Sequence, residues 1–200
     1  LYPVSPTPMN LLPLRRVLLC LLFILPGQLL SEPSVIPPEA VVVLYNTEDE
    51  NSKRLALHYA QARSIPKDNL VGLAIPLGDE ISREQFNQKI RIPLCQIFDD
   101  RKWWVRKLTA NGQKQPVNLK RRVIVTMRGV PFKIARTLDT IPEGQADKRP
   151  FTPNSRGNEA SVDSELSLTG VEGYEIAGQI PNPYFEKDQP LMDLPDLGIL

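Results

Sequence analysis

The sequence predicts an α/β protein, a three-layer sandwich around a mostly parallel sheet with a βαβαβ run. Three observations predict it. Ala40–Tyr45 (AVVVLY), Leu70–Pro76 (LVGLAIP) and Val123–Met127 (VIVTM) are unbroken apolar runs, the first and third rich in β-branched residues. Such runs belong to strands buried on both faces, the habit of parallel sheets. Helical text separates them, and strand–helix alternation favours parallel strands joined by crossovers.

The elements follow in order. Ala40–Tyr45 is the first strand, and Asn46-Thr47-Glu48 after it reads as a turn and helix cap. Asn51–Arg63 (NSKRLALHYAQAR) is the first helix, with Leu55, Tyr59 and Ala62 on one stripe and Ala56 beside them. His58, the one histidine, falls beside that stripe and reads as a helix-packing residue. Leu70–Pro76 is the second strand. Ser82 and Gln85 form a capping box for a second helix, whose apolar positions are Phe86, Ile90, Leu94 and Ile97. Pro93 inside that run predicts a kink or two short helices, because proline removes a helical hydrogen bond. Arg101–Lys107 (RKWWVRK) reads as a helical tail with one tryptophan buried and its charges solvated, and Asn111-Gly112 as a turn. Val123–Met127 is the third strand. Ala135–Glu159 is polar and aperiodic, the mark of a functional or mobile loop. Ala160–Leu168 is a short helix or turn, and Asn182–Phe185 (NPYF) an aromatic turn.

The N-terminal text has its own logic. Residues 1–8 precede the first methionine, Met9, and read as upstream translation. Residues 9–31 carry Arg15 and Arg16, then the apolar Val17–Leu25, then Pro26-Gly27 and a small residue, Ser31. That order predicts a cleaved secretory signal peptide, the alternative being an uncleaved anchor, and its apolar core falls short of the roughly 20 residues that span a bilayer. Residues 32–38 are a proline-rich linker, and 39–200 form a single α/β domain. The chain reaches Leu200 in DLPDLGIL without a closing element, which predicts further strands beyond it. These readings place the protein in the periplasm, the cell envelope or outside the cell, with no membrane span after cleavage.

Composition narrows the function. The chain has 24 Lys and Arg against 23 Asp and Glu; losing Arg15 and Arg16 leaves 22 − 23 = −1. That balance gives no general pull toward nucleic acid. Cleavage would also remove Cys20 and leave Cys95 alone, so no disulfide framework forms in the mature segment. One histidine and one mature cysteine argue against a zinc site of the usual ligands, and no metal or cofactor is predicted.

Two motifs stand out as candidate sites. The first is Arg128-Gly129-Val130-Pro131, at the carboxyl end of the third strand. Open parallel sheets bind ligands there. Gly129 permits close backbone approach or a positive φ, and Arg128 suits a carboxylate or phosphate. The alternative is a plain strand exit with Arg128 in a structural ion pair. The second is Ser161-Val162-Asp163-Ser164-Glu165. Asp163 and Glu165 are candidate catalytic carboxylates, as acid and base or cation ligands. The alternative is a helix cap, with Ser161 or Asp163 meeting free backbone N–H groups.

Seven stretches in this order also resemble a known family. They are AVVVLYN (40–46), LALHYAQARSIP (55–66), NLVGL (69–73), ISREQF (81–86), MRGVP (127–131), ASVDSEL (160–166) and NPYF (182–185). The chain resembles, over residues 39–185, a family of uncharacterised exported bacterial proteins known as a conserved domain of unknown function. The resemblance implies an exported α/β protein of unassigned activity, and a C-terminal part that this chain lacks. A looser likeness is to caspase-like peptidases of the gingipain type, where a parallel α/β sheet precedes an acidic, tyrosine-bearing segment. Those peptidases use a histidine followed by glycine and a later cysteine, each after a strand. Here His58 is followed by Tyr59 and Cys95 by Gln96, so that catalytic pair is not carried over.

Two functional expectations result. One is a secreted hydrolase, peptidase-like, with its nucleophile beyond Leu200 and with Arg128, Gly129, Asp163 and Glu165 lining the site. The other is a non-catalytic envelope or surface module that recognises its partner through the 135–159 loop and the NPYF turn. Either takes a small-molecule or peptide ligand.

Overall fold

The computed structural model describes residues 36–136 and 158–174. All of them belong to the second of two compact units, Ser34–Leu200. The predicted signal segment, the interior of the polar stretch 135–159 and the predicted NPYF turn lie outside the described residues.

The protein is α/β, built on a three-stranded parallel sheet in the order β2-β1-β6. The strands are β1 (Val41–Asn46), β2 (Leu70–Leu73) and β6 (Val123–Thr126). Val43 pairs with Leu70 on one side of β1 and with Val125 on the other. Central β1 has Val42, Val43 and Leu44 wholly buried, as a continuous apolar run requires. Full burial of each such side chain contributes about 1.5–3 kcal/mol.

Helix α1 (Glu50–Ala62) follows β1, capped by Asp49, whose side chain accepts from Asn51 N. Its buried stripe is Ser52, Ala56 and Ala60, one position away from the predicted one. Leu55 and Ala62 are exposed and Tyr59 is half-buried. Small residues let the helix lie close to the sheet, where Ala56 and Ala60 pack with Val43, Ile65 and Met127. His58 is exposed rather than packed. Asn46-Thr47-Glu48 forms the predicted turn, and the cap is the next residue, Asp49.

The second helical region starts with the capping box at Ser82 and Gln85. It runs as α2 (Arg83–Phe86), a π turn (Asn87–Arg91) and α3 (Ile92–Asp100). Pro93 sits in the first turn of α3, just past the π turn, where its missing N–H is accommodated. Phe86, Ile90, Leu94 and Phe98 are wholly buried and pack with Val42 and Leu44. Ile97 is only partly buried, at the edge of this cluster.

RKWWVRK is no helix. Trp104–Leu108 is strand β4, paired antiparallel with β5 (Lys114–Leu119) around the turn at Asn111-Gly112. Both tryptophans are buried, and both stack near Phe98. Arginines cover their outer faces: Arg101 and Arg121 over Trp103, Arg106 over Trp104. One arginine from β4 and two from outside the strands thus lie over the rings.

A small second sheet completes the picture. β3 (Glu80–Ile81) runs parallel to β7 (Lys133–Ile134), and β8 (Ala160–Ser161) pairs antiparallel with β7. Helix α4 (Val162–Leu166) follows β8 directly, with Ser161 as its cap. The second sheet therefore ties the ASVDSEL segment to the chain that leaves β6.

Candidate functional site

The site begins with one amide. Asn46 closes the apolar run of β1 and is fully buried. Its Nδ2 donates to Ile75 O and to Gly129 O, both at 2.9 Å. Its Oδ1 accepts from Glu48 N at 3.0 Å and Ile75 N at 3.2 Å. Its backbone N–H donates to Ser52 Oγ at 3.0 Å. Two donors and two acceptances use the full capacity of the side chain. One residue thus binds together the segments after β1, β2 and β6.

Gly129 sits where this knot tightens. Its φ is +95°, in the region that side chains disfavour. A Cβ there would come within 2.7 Å of Asp49 Oδ2 and 3.1 Å of Ser52 Cβ. Both reasons for a glycine, positive φ and close approach, hold at this position. The approach is to the first turn of α1. Val130 N donates to Met127 O at 3.1 Å and closes the turn over Arg128.

Arg128 is exposed at the tip of this turn. Among the described residues it has no ion pair, hydrogen bond or ring contact. The alternative expectation, a structural ion pair, finds no partner among them.

The two carboxylates of ASVDSEL part company. Asp163 is exposed and accepts from the Thr126 hydroxyl at 3.2 Å, at the last residue of β6. Val162 N donates to Phe132 O at 2.9 Å, which fixes α4 beside the same strand exit. Glu165 is buried and faces away, in an ion pair with Arg83 Nη1 at 2.7 Å. The Tyr174 hydroxyl donates to its other oxygen at 2.8 Å, and Arg83 Nη2 donates to Asn158 O at 2.8 Å. Burial, then the adjacent Glu165 charge, pushes the Tyr174 phenol well above its ordinary value. Asp163 and Glu165 therefore do not form one pair. Asp163 belongs with Thr126 and the Arg128 turn, and Glu165 holds α4 to α2.

The remaining reactive groups lie elsewhere. Burial pushes the Cys95 thiol up, away from thiolate, against smaller opposing effects of a Gly170 backbone hydrogen bond and the Arg91 and Arg106 charges. A raised thiol is a poor nucleophile at neutral pH. Among the described residues no group of three or more His, Cys, Asp or Glu is placed to hold a metal. No helix among them is long and apolar enough to cross a membrane.

The sequence singled out Arg128, Gly129 and Asp163, gave Asn46 only a place in a turn, and did not single out Asp49 or Thr126. Asn46 had a signal: it is the first polar residue after an unbroken apolar strand. Thr126 had none, because a threonine is an ordinary strand residue. No family model, curated protein or solved structure matches this chain.

Proposed function

We propose that this is an exported α/β protein that binds an anionic ligand, a carboxylate or phosphate on a small molecule or peptide. The site is the carboxyl edge of the sheet between β1 and β6. There the connection from β1 leads to β2 on one side while β6 lies on the other. Parallel sheets bind ligands at such switch points. Arg128 is the anchoring cation, and Gly129 sets the turn that presents it. The observation that carries this reading is an exposed arginine with no partner among the described residues, on a turn fixed by Asn46. A strand exit with no task has no need of such fixing. The two buried clusters, one with α1 and one with α2 and α3, support a three-layer arrangement. Export rests on the signal-like order of residues 9–31 and on the family resemblance.

Thermal melts with inorganic phosphate and with a short peptide bearing a free C-terminus test the site. A ligand at a hundred times its Kd stabilises the fold by about 2.7 kcal/mol. One of the probes is expected to raise the Tm of the wild type and to lose that effect in Arg128→Ala. A shift that persists in Arg128→Ala removes Arg128 from the site.

A hydrolase is the second reading. It is favoured by the Thr126 hydroxyl lying on the Asp163 carboxylate on the same edge, where a carboxylate can serve as a general base. Turnover of ester or peptide substrates that fails in Asp163→Asn with binding intact would select it over a non-catalytic module.

A further inference from the structure

The hairpin β4–β5 has a charge distribution unlike the rest of the chain. Residues 101–122 hold eight of the 24 Lys and Arg and no Asp or Glu. The four arginines are occupied. Arg101 reaches Asp68 O and lies over Trp103. Arg106 pairs with Asp99 and with Glu172, at 3.8 Å for the latter. Arg121 donates to Asn69 Oδ1 at 3.0 Å, and Arg122 is buried. The lysines are different. Lys102, Lys107, Lys114 and Lys120 are all exposed, and their ammonium groups have no partner among the described residues. Asp99 and the exposed Asp100 lie at the base, while Glu172 lies beside Lys114, whose backbone N–H donates to it at 3.0 Å; Arg106 engages both Asp99 and Glu172.

Aliphatic side chains stand among these lysines. Val105 is 51% exposed, Leu108 68% and Val117 41%. Strand pairing explains two of them. Trp104 and Leu119, directly opposed, point inward, so the next pair, Val105 and Asn118, points to solvent. Val117 is the extra residue of the bulge between Val105 and Arg106. Leu108, paired with Lys114, lies beyond the core near the hairpin tip.

We infer that this hairpin docks the protein on an anionic phospholipid surface. The chemistry separates this from binding to nucleic acid. Single-stranded nucleic acid is held by stacking on exposed aromatic rings as well as by cations. Here both tryptophans are buried under arginines. Exposed valine and leucine gain nothing from a phosphate backbone. A bilayer interface rewards both features, because the aliphatic groups enter the headgroup–acyl boundary while lysines meet the anionic headgroups. Lysine stems are long enough to do so with the apolar residues inserted. The contact is peripheral, since an isolated hairpin cannot satisfy its backbone across a bilayer. It is independent of the Arg128 site, which need not be functional for the hairpin to dock.

Co-sedimentation of the full chain with vesicles tests it. One set is phosphatidylcholine alone, the other phosphatidylcholine mixed with phosphatidylglycerol. The readout is the difference between wild type and variants, because residues 9–31 carry their own apolar run and basic pair in every sample. Lys107→Ala with Lys114→Ala should weaken binding to the anionic vesicles by about fivefold per lysine removed. Val105→Ser with Leu108→Ser should weaken it at unchanged charge. All four positions are exposed, so each variant should keep the wild-type fold, which circular dichroism checks. Vesicle binding that both double variants leave unchanged overturns the inference. So does tight binding of a single-stranded oligonucleotide that depends on the lysines and ignores Val105 and Leu108.

Discussion

Asp163 and Glu165 lie two residues apart on α4, yet they inhabit different regions of the molecule. The inner region is Glu165 with Arg83, Tyr174 and the backbone of Asn158. Its charges are buried, and each has a named partner. The outer region is Asp163 with Thr126 and the turn of Arg128. Its charges face solvent, and what is fixed there is the backbone beneath them. The contrast shows how one short acidic segment can serve two ends. Residues two apart on a helix point in nearly opposite directions. One acid therefore anchors the segment and leaves the other displayed.

The comparison fails first if the inner region is not structural. Glu165→Ala leaves the Arg83 guanidinium buried without its carboxylate, and such a loss costs about 3–5 kcal/mol. Urea denaturation should show it as a large fall in midpoint, and a fall no greater than that of a surface substitution would break the contrast.

A smaller effect sharpens how dry that inner region is. The folded chain holds the Tyr174 proton more tightly than an unfolded chain, whose value is near 10.0. The stability linked to that proton is fully present below 10.0 and is lost as the pH rises toward the folded value. Denaturation series from neutral to strongly alkaline pH should show this loss, and Tyr174→Phe should remove its share. An alkaline profile identical in wild type and Tyr174→Phe would mean that the phenol is solvated.

The smallest expected effect belongs to the outer region. Arg128→Ala should change stability by no more than about 0.5 kcal/mol, the range of ordinary surface positions. A loss of several kcal/mol in the same denaturation measurement would make Arg128 a structural ion and merge the two regions into one.

The sheet was readable because buried parallel strands need continuous apolar text, and AVVVLY and VIVTM supply it. The capping box and the break at Pro93 were readable because both act over a few residues. What was hidden depends on distance along the chain. Arg83 and Glu165 meet across a long stretch of sequence, and nothing local to either names the other. The α1 stripe was misplaced because its buried residues, Ser52, Ala56 and Ala60, are small, while the larger Leu55 and Tyr59, on which the expectation rested, are exposed and half-buried. RKWWVRK misled as well. It has no alternation to read: the strand begins only at Trp104, and the adjacent Trp103 is buried as well, with arginines lying over both rings. At the candidate site, the turn at Gly129 was legible from the strand-end sequence, whereas the role of Asn46 required knowing which loops converge on it.

The π turn between α2 and α3 has a consequence for phase. Phe86, Ile90, Leu94 and Phe98 are spaced by four residues, but an ordinary helix turns once in 3.6. Each four-residue step therefore drifts by about 40°, and three steps would carry Phe98 roughly 120° around from Phe86. The wider turn takes in one extra residue and winds back by about 100°. The four side chains return almost to a line. The insertion thus works as a vernier that resets the angular count, so that one straight ridge of anchors runs the length of a helix whose own pitch would have spread them into a spiral.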